Sequence, residues 1–435
     1  MSRRILFVAM QMSIHVARWI RSIENRGWDL HLFPVNSGPV MEELNTITVH
    51  RPFLRVEARL LQHARKQWAK AVGNSRPSGI SQGCTSAKTR QSILHLPMLE
   101  EFERYIDRIF RIRIGESRTL CPLPYGPQVL AKLIQRLNPD LIHSIEFQHA
   151  GYRVLQAKEL LGRSFPTWLA TNWGSDIYYY QRFEGHRRQI RRLLENIDYY
   201  SCECERDVKL ARELGLKGKA MRPFPNAGGI DLTLAKEFRS RVRTSCRRLV
   251  VVKGYQHFAG RALTALDALE RCADALRSFD VVLFSVSREV AETARDLRRK
   301  GTLNIWTSEY LPHEQMLGLH SRARVYLAVS ISDAISTSML EAIAMGAFPI
   351  QTNTSCCDEW IEDGESGFIV DPEDVDGIAE SVRMAVTDDQ LVDRAAELNW
   401  VTVEKRLDQH YVARKIHDLY ESIFEDISNP TTESV

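Results

Sequence analysis

Strand-like and helix-like segments alternate along this chain in two separate series, and this alternation constrains the fold more than any other feature. In the first series, an apolar strand pattern at 4–10 is followed by helical spacing of apolar residues at 13–26 and a second strand pattern at 29–35. Three further strand patterns follow, with helical periodicity between them, at 140–145, 166–171 and 198–202. Strands that alternate with helices form parallel sheets covered by helices on both faces.

A loop at 223–229, with the sequence PFPNAGG, ends the first series, and a second series follows it. The strand patterns of the second series lie at 249–253, 280–285, 303–306, 324–329, 348–352 and 367–370. We therefore predict an α/β protein with two Rossmann-like, doubly wound domains that face a cleft. The predicted domains are 1–225 and 226–400, and the C-terminal segment 401–435 contains a predicted helix at about 401–423, long enough to cross back to the first domain.

One stretch of the first half, 51–118, departs from this alternation. Its segments 55–72 and 96–113 have helical spacing and many basic residues, whereas 73–89 is rich in Gly, Ser and Pro and is typical of a loop. We therefore predict a basic insertion in the first domain.

The formal net charge of +3 conceals an unequal distribution of charge between the two halves. Residues 1–225 carry 35 Lys and Arg against 21 Asp and Glu, a net charge of +14, whereas the remaining residues carry 23 against 34, a net charge of −11. A basic half attracts an anionic partner, and nucleic acid, a membrane surface and a phosphorylated small molecule all fit the charge alone. The aromatic residues among the cations fit amphipathic helices better than a nucleic-acid surface. The sequence therefore predicts no nucleic-acid partner, and the basic segments 55–72 and 101–113 predict contact with an anionic membrane.

Several functional classes lose support from the sequence. No apolar run approaches the roughly 20 residues that span a bilayer, and the apolar N-terminal segment is too short for a secretory leader. The eight cysteines show no C-x-x-C spacing, so neither a disulfide framework nor a zinc site is indicated. The motifs of dinucleotide-dependent hydride transfer, P-loop nucleotide hydrolysis and serine hydrolysis are absent. We expect a cytoplasmic protein, with peripheral association at the inner face of the membrane as a further expectation.

The segment 332–350 is the most informative in the chain. It follows a predicted strand and enters a predicted helix through three hydroxyl residues, Ser336, Thr337 and Ser338. At such a strand-to-helix turn, free backbone N–H groups and the helix dipole favour an anionic group such as a pyrophosphate. Asp333 in the loop and Glu341 in the helix are expected to face the same crevice. Their carboxylates are suited to bind the hydroxyl groups of a sugar and of a ribose.

Glu341 also fits a purely structural role. Ser338-x-x-Glu341 has the spacing of a capping box, in which both side chains satisfy backbone donors at the start of a helix. The spacing alone favours this cap over a ligand contact.

The whole segment resembles the E-x7-E signature of retaining glycosyltransferases with the GT-B fold, the family 4 or "glycosyl transferases group 1" type. Asp333 stands in place of the first Glu of that signature. The match includes the flanking residues Ala342-x-Ala344-x-Gly346-x-x-Pro349. This extended match favours a functional role for Glu341.

The resemblance extends over nearly the whole chain apart from 51–118. The segments at 225–231, 252–261 and 358–372 are similar to the hinge loop of the family, to the strand-loop-helix that supplies two cations to the donor diphosphate, and to the segment after the signature helix. In the first domain, PDLIH ending at His143 and WGSD ending at Asp176 occupy the places of the "PDxxH" and "HGxD" patches of the family. The chain departs from the family by lacking a Gly-Gly loop after the first strand and by having Ile at the second His of the His-x-His patch.

The resemblance implies a retaining glycosyltransferase of the EC 2.4 class. Such an enzyme moves a sugar from a UDP- or GDP-linked donor to a hydroxyl group, here expected on a lipid-linked or glycan-precursor acceptor in polysaccharide biosynthesis. Because two cations and a helix N-terminus are expected to supply charge to the diphosphate, we predict no metal, and we predict no cofactor. The residues that the resemblance implies are Asp333, His15 and His143 as catalytic; Lys253, Arg261, Ser336, Thr337, Ser338 and Glu341 as donor-binding; and Asp176 and Asn226 as acceptor-binding or interdomain.

Structural alternatives remain open for several of these residues. Lys253 and Arg261 also fit solvated surface cations, and His15 also fits a partly exposed polar residue. His143 ends a predicted buried strand, where a histidine is more often a satisfied core residue than a catalyst. Asp176 fits either a turn cap or a contact with a substrate hydroxyl group.

Two other functions also fit the predicted architecture. A nucleotide-sugar epimerase of the same two-domain build would carry a similar donor site, and a non-catalytic scaffold would bind a sugar nucleotide without turnover.

Overall fold

The structure, a computed structural model, describes residues 2–36, 39–53, 91–95, 126–162, 164–226, 228–308 and 311–429. The first domain contains a parallel eight-stranded sheet with the strand order β4-β3-β2-β1-β5-β6-β7-β8. Its strands are β1 (Arg4–Ala9), β2 (Asp29–Pro34), β3 (Thr48–Phe53), β4 (Gln91–His95), β5 (Leu141–Ile145), β6 (Thr167–Thr171), β7 (Tyr199–Ser201) and β8 (Lys219–Ala220). Its described α-helices are α1 (Ile14–Arg21), α2 (Pro127–Leu137), α3 (Tyr152–Leu161), α4 (Ser175–Tyr178), α5 (Glu184–Leu194) and α6 (Glu205–Glu213).

The second domain contains a parallel six-stranded sheet with the strand order β11-β10-β9-β12-β13-β14. Its strands are β9 (Leu249–Lys253), β10 (Asp280–Phe284), β11 (Asn304–Thr307), β12 (Val325–Ala328), β13 (Phe348–Thr352) and β14 (Phe368–Val370). The described α-helices that follow the first domain are α7 (Leu232–Phe238), α8 (Ala262–Arg271), α9 (Arg288–Arg299), α10 (His313–Arg322), α11 (Thr337–Ala344), α12 (Val375–Thr387), α13 (Asp389–Arg406) and α14 (Gln409–Ser428). The predicted fold of two Rossmann-like parallel sheets is confirmed.

The stretch predicted as an insertion contributes to the first sheet. Strand β4 lies inside 51–118 and pairs in parallel with β3 at the edge of the sheet. The sequence analysis missed both strands. The basic segments 55–72 and 101–113 and the loop 73–89 lie outside the described residues.

The prediction of one continuous C-terminal helix at 401–423 is wrong. The chain forms two helices, α13 and α14, with a break at Leu407 and Asp408. The Asp408 side chain accepts a hydrogen bond from the backbone N–H of His410 and so caps α14. The chain also pairs here with the interdomain loop, because Ile230 N–H donates to the Leu407 carbonyl at 2.7 Å.

A glycine is required where the interdomain loop meets this break. Gly229 has a φ of 74°, in the left-handed region that favours glycine. A Cβ atom at this position would lie 2.8 Å from the Leu407 carbonyl oxygen. The close approach of the two backbones therefore depends on Gly229.

Helix α14 packs against the first domain, as the sequence predicts for its C-terminal helix. Its residues Ile416, Tyr420 and Phe424 are fully buried in one cluster with Phe7 of β1 and Trp19 of α1. The Tyr420 hydroxyl group accepts a hydrogen bond from Trp19 Nε1 at 2.8 Å. This buried polar contact fixes the position of α14 on the first domain.

Replacing Tyr420 with phenylalanine is expected to lower the free energy of unfolding by about 1–3 kcal/mol. The substitution leaves the buried N–H group of Trp19 without its partner, and an unsatisfied buried donor costs about that much. Urea unfolding followed by circular dichroism measures the change. Tyr411→Phe on the same helix is the matched control, because no hydrogen bond of the Tyr411 hydroxyl group occurs among the described residues. Equal stability of the two variants would contradict this account.

None of the helices in the described part of the chain is both long enough and apolar enough to cross a membrane.

Candidate functional site

The candidate site lies where the strand order reverses in each sheet. In the second sheet, β9 pairs with β10 on one side and with β12 on the other. In the first sheet, β1 pairs with both β2 and β5. Ligands of open α/β sheets bind outside the carboxyl ends of the strands at such reversals. Of the predicted residues, Lys253 ends β9, the central strand of the second reversal. His15 lies in α1, the helix that follows β1, the central strand of the first reversal.

The second-domain reversal brings together a lysine and a carboxylate that are far apart in sequence. Lys253 ends β9, and Asp333 lies in the loop between β12 and α11. The Lys253 Nζ atom lies 3.9 Å from the Asp333 Oδ2 atom, and the Lys253 side chain is 19% exposed. Burial alone would lower the pKa of Lys253, but Tyr326 and Asp333 raise it above its ordinary value. Lys253 is therefore a charged, half-buried cation rather than a solvated surface residue.

Glu341 also faces this reversal, from the second turn of α11. The side chain is buried, and its Oε1 atom lies 3.0 Å from His313 Nε2. Burial alone would raise the pKa of Glu341, but the hydrogen bond with His313 lowers it below its ordinary value. The site therefore contains a buried carboxylate.

The capping-box interpretation of Glu341 is wrong. The N-cap residue of α11 is Ser336, and Ser338 is the second residue of the helix. Ser338 thus does not occupy the cap position that the box requires. The Glu341 carboxylate contacts His313 instead of the backbone at the start of the helix.

The three predicted hydroxyl residues lie at the N-terminus of α11. Ser336 is buried, and its Oγ atom lies 3.4 Å from the Tyr326 hydroxyl group. Thr337 and Ser338 open the helix and are partly exposed. The first N–H groups of a helix have no partner within it, so this terminus is suited to an anion.

Arg261 lies immediately before α8 and orders the loop that follows Lys253. Its Nη1 atom donates to the carbonyl oxygens of His257 at 2.9 Å and Gly260 at 2.8 Å. The same loop pairs with the Asp333 loop, since Ile331 N–H donates to the Ala259 carbonyl at 2.8 Å. The two predicted cations therefore bracket one ordered loop beside the Asp333 loop.

His15 faces the second domain from the first turn of α1. Its ring lies edge-on to Trp173, with the ring centroids 6.0 Å apart. Burial and the Arg18 guanidinium lower the pKa of His15, whereas Asp333 and Glu341 raise it. The net shift is downward, which favours the neutral form of His15. Charges of the second domain therefore act on His15 across the cleft.

His143 does not line the cleft, and its catalytic assignment is not retained. Its side chain is fully buried, with Nδ1 at 2.6 Å from the Tyr420 hydroxyl group and Nε2 at 2.8 Å from Thr171 Oγ1. Burial lowers the pKa of His143 to about 3. A neutral histidine with both ring nitrogens in hydrogen bonds is a core residue, which was the structural alternative at this position.

Asp176 holds a turn beneath the cleft. The side chain is buried, and its Oδ2 atom accepts hydrogen bonds from the backbone N–H groups of Phe147 at 3.1 Å and Trp173 at 3.0 Å. Burial and the nearby Glu146 raise the pKa of Asp176 to about 8. These contacts favour the turn-holding alternative over a contact with a substrate hydroxyl group.

Asn226 lies in the interdomain loop, as the sequence predicts. It is buried, and its backbone N–H donates to Glu203 Oε1 at 2.7 Å. Glu203 follows β7, and the backbone of Ile335, next to the Asp333 loop, partly offsets the effect of burial on its pKa. Burial raises the pKa of Glu203 to about 8. Glu203 thus connects the interdomain loop to the candidate site.

The first domain contacts the Asp333 loop directly. A Cβ atom at Gly174 would lie 2.2 Å from the backbone nitrogen of Ala334, so only glycine allows this approach. The Ser175 and Ser332 hydroxyl oxygens lie 2.9 Å apart. Arg206 donates to the Asp333 carbonyl oxygen at 2.8 Å. The position of Asp333 is therefore set by both domains.

The sequence analysis missed three residues of this site: His313, Glu203 and Arg206. None of them lies in a sequence motif whose spacing indicates a chemical role. Each is brought to the site by the tertiary structure. Pro312 before His313 and the end of the strand before Glu203 signal only element boundaries. No pattern in the sequence pointed to their roles.

A cavity of about 580 Å³ lies elsewhere in the second domain, between α7 and α10. It is lined by apolar side chains such as Phe238 and Leu319 together with polar ones such as Glu314 and Arg322, and by no residue predicted for the site. Among the described residues, one group has the geometry of potential metal ligands, Cys204, Cys356 and Glu359. Neither feature includes the converging charges of the cleft.

Two family models match the sequence, one in each domain. The model described as "Glycosyl transferases group 1" matches residues 300–399, which include Asp333 and Glu341. The model described as "Glycosyl transferase 4-like" matches residues 108–203. Both matches are consistent with the predicted resemblance to GT-B glycosyltransferases. No curated protein matches the chain in sequence.

Solved structures with the same fold cover nearly the whole of this chain. Sucrose-phosphate synthase from Thermosynechococcus elongatus is 14% identical with a TM-score of 0.63, over 97% of this chain and 99% of that one. HepE from Anabaena, in complex with UDP-glucose, is 13% identical with a TM-score of 0.61, over 96% and 99%. The trehalose 6-phosphate synthase from Burkholderia multivorans is 11% identical with a TM-score of 0.65, over 100% and 99%. At these identities the likeness shows the fold alone.

Proposed function

We propose that the protein is a glycosyltransferase that moves a sugar from a nucleoside diphosphate sugar to a hydroxyl group, with retention of the anomeric configuration. The observation that carries the proposal is the convergence of Lys253, Asp333 and Glu341 at the strand reversal of the second sheet. One cation and two carboxylates at the N-terminus of α11 suit a ligand with a diphosphate and two sets of hydroxyl groups. The likeness to HepE, whose structure holds UDP-glucose, supports a nucleotide sugar as the donor.

Each group has a distinct role in the proposed reaction. Lys253 and Arg261 neutralise the diphosphate, whose negative charge grows as its bond to the sugar breaks. Glu341 binds the ribose hydroxyl groups, and Asp333 binds the donor sugar. The lowered pKa of His15 favours its neutral form, which is suited to hydrogen-bond a sugar hydroxyl group.

Turnover is expected to be independent of divalent metal. Lys253, Arg261 and the N-terminus of α11 already supply positive charge to the diphosphate. Dialysis against a chelator should therefore leave the rate of UDP release unchanged. A rate that disappears with the chelator and returns with manganese would contradict this proposal.

The first domain is proposed to bind the acceptor at an anionic membrane surface, where a lipid-linked acceptor would lie. The net charge of +14 on residues 1–225 supports this proposal. The protein is expected to sediment with anionic vesicles but not with neutral ones, and high salt should release it. Failure to sediment with either kind of vesicle would favour a soluble acceptor.

Incubation with UDP-glucose or GDP-mannose and a cell lipid extract, followed by product analysis, tests the proposed reaction. A new glycoside, with the anomeric configuration of the donor, is the expected product. A free sugar nucleotide with altered stereochemistry would indicate an epimerase. Tight donor binding with no product in the presence of acceptors would indicate a scaffold.

A further inference from the structure

Aromatic side chains from both domains meet at the edge of the cleft. Tyr179, Tyr180 and Phe183 come from the first domain, and Tyr255 and Phe258 come from the loop after β9; we call these five residues the aromatic rim. The ring centroid of Phe258 lies 5.1 Å from that of Tyr179 and 6.0 Å from that of Tyr180. The rim therefore bridges the two domains.

Three residues of the rim are unusually exposed for aromatic side chains. Phe183 is 41% exposed, Tyr255 is 39% exposed and Phe258 is 48% exposed. Single exposed apolar residues are common, but a contiguous exposed patch marks a binding surface. The exposure and the continuity of the rim thus point to a ligand.

On the second-domain side, the rim is continuous with the donor site. The Lys253 Nζ atom lies 5.1 Å from the ring centroid of Tyr255. Phe258 lies in the loop between Lys253 and Arg261, and the Arg261 side chain donates to the carbonyl of the adjacent His257. A group that packs on Phe258 is therefore next to the residues proposed to bind the diphosphate.

The first-domain side has the same continuity. Tyr179 directly follows α4, whose first residue, Ser175, contacts Ser332 beside Asp333. Tyr178 of α4 packs under the Arg206 guanidinium, whose carbon lies 3.9 Å from the ring centroid, and Arg206 also donates to the Asp333 carbonyl. Both halves of the rim thus connect to the Asp333 loop.

We infer that the aromatic rim binds a sugar ring of a saccharide acceptor. This inference rests on the proposed function and names the chemical class of its acceptor. The apolar C–H face of a pyranose ring packs against aromatic rings, whose faces carry partial negative charge. The hydroxyl groups at the edge of the sugar need polar partners, and the exposed Arg182 supplies donors, with its guanidinium carbon 5.3 Å from the Tyr178 ring centroid.

The surroundings of the rim favour a saccharide over an acyl or polyprenyl chain. A hydrocarbon chain would need a continuous apolar groove, because burying cations against hydrocarbon is costly. The rim is instead flanked by Arg182, Arg206 and Lys253. Alternating aromatic and charged groups match the amphipathic surface of a sugar.

Saturation-transfer NMR on the full-length protein with UDP bound tests the inference. The probes are the methyl glycosides of glucose, galactose, mannose and N-acetylglucosamine, together with micellar dioleoylglycerol as a lipid without sugar. At least one glycoside should receive saturation from the wild-type protein. Phe258→Ala should weaken the affinity for it about tenfold, the size expected for one lost aromatic stack. Phe258→Tyr, which keeps the ring, should retain binding.

Leu160→Ala is the control, because Leu160 is 52% exposed and lies outside the rim. This variant should bind the glycoside as the wild type does. Absence of saturation on all four glycosides, an unchanged signal in Phe258→Ala, or saturation of the lipid alone would overturn the inference. UDP affinity, measured by calorimetry, should be equal in all variants. If neither UDP nor GDP binds the wild type, the proposed function fails separately, and the glycosides without nucleotide still decide the role of the rim.

Discussion

Replacing Lys253 with methionine is expected to lower the rate of sugar transfer by about a hundredfold to a thousandfold. This is the loss observed when one preorganised donor to a developing negative charge is removed from an active site. Lys253 is suited to this role because its side chain is charged and only 19% exposed, and its Nζ atom lies 3.9 Å from Asp333 Oδ2. Methionine keeps the length of the side chain, so the packing around it is preserved. Steady-state kinetics of UDP release measures the effect.

Lys236→Met is the matched control for this prediction. Lys236 lies on α7, its side chain is 61% exposed, and it pairs with Glu404 at the surface. Exposed ion pairs contribute little, so this variant should keep wild-type activity and stability. A Lys253→Met enzyme within threefold of the wild-type rate would remove Lys253 from the proposed mechanism.

Substitutions of the two carboxylates are expected to affect the binding of the nucleotide and of the nucleotide sugar differently. Glu341→Ala should weaken the binding of both UDP and UDP-glucose, by about 1.5–3 kcal/mol for charge-assisted hydrogen bonds. Asp333→Ala should leave the affinity for UDP unchanged and weaken only that for UDP-glucose. Isothermal titration calorimetry with both ligands on both variants measures the four affinities.

The melting temperature of Glu341→Ala tests whether Glu341 caps the helix. Its carboxylate contacts His313 rather than the backbone of α11, so the substitution does not remove a helix cap. Early melting with unchanged affinity for the donor would instead indicate a structural cap. Glu341→Gln keeps the size of the side chain and should also lose UDP affinity, but to a smaller extent. Equal loss of UDP and UDP-glucose affinity in Asp333→Ala would contradict the assigned roles.

The sequence predicted most of the fold because its strands are short apolar runs between helices. Strands β9 and β13 have the predicted bounds, and the other predicted strands agree within two residues. The edge strand β4 was missed because it lies within a basic stretch that lacks the surrounding alternation. The break at Leu407 and Asp408 was missed because apolar helical spacing continues across it.

The candidate site could be predicted only in part. Lys253, Asp333 and Glu341 follow from strand ends and a family signature, and the structure brings them to one crevice. His143 shares a family pattern as well, yet burial against Tyr420 removes it from the cleft. The partners His313 and Glu203 come from other elements, and no local spacing in a single sequence encodes such contacts.

A crystal structure of the protein with UDP-glucose tests the central claim most directly. The proposed roles predict a diphosphate oxygen within about 3.2 Å of Lys253 Nζ, ribose hydroxyl groups at a similar distance from the Glu341 carboxylate, and the glucose ring beside Asp333. Contact of the nucleotide with the cavity between α7 and α10, or a bound nucleotide that touches neither Lys253 nor Glu341, would contradict the assignment of the donor site.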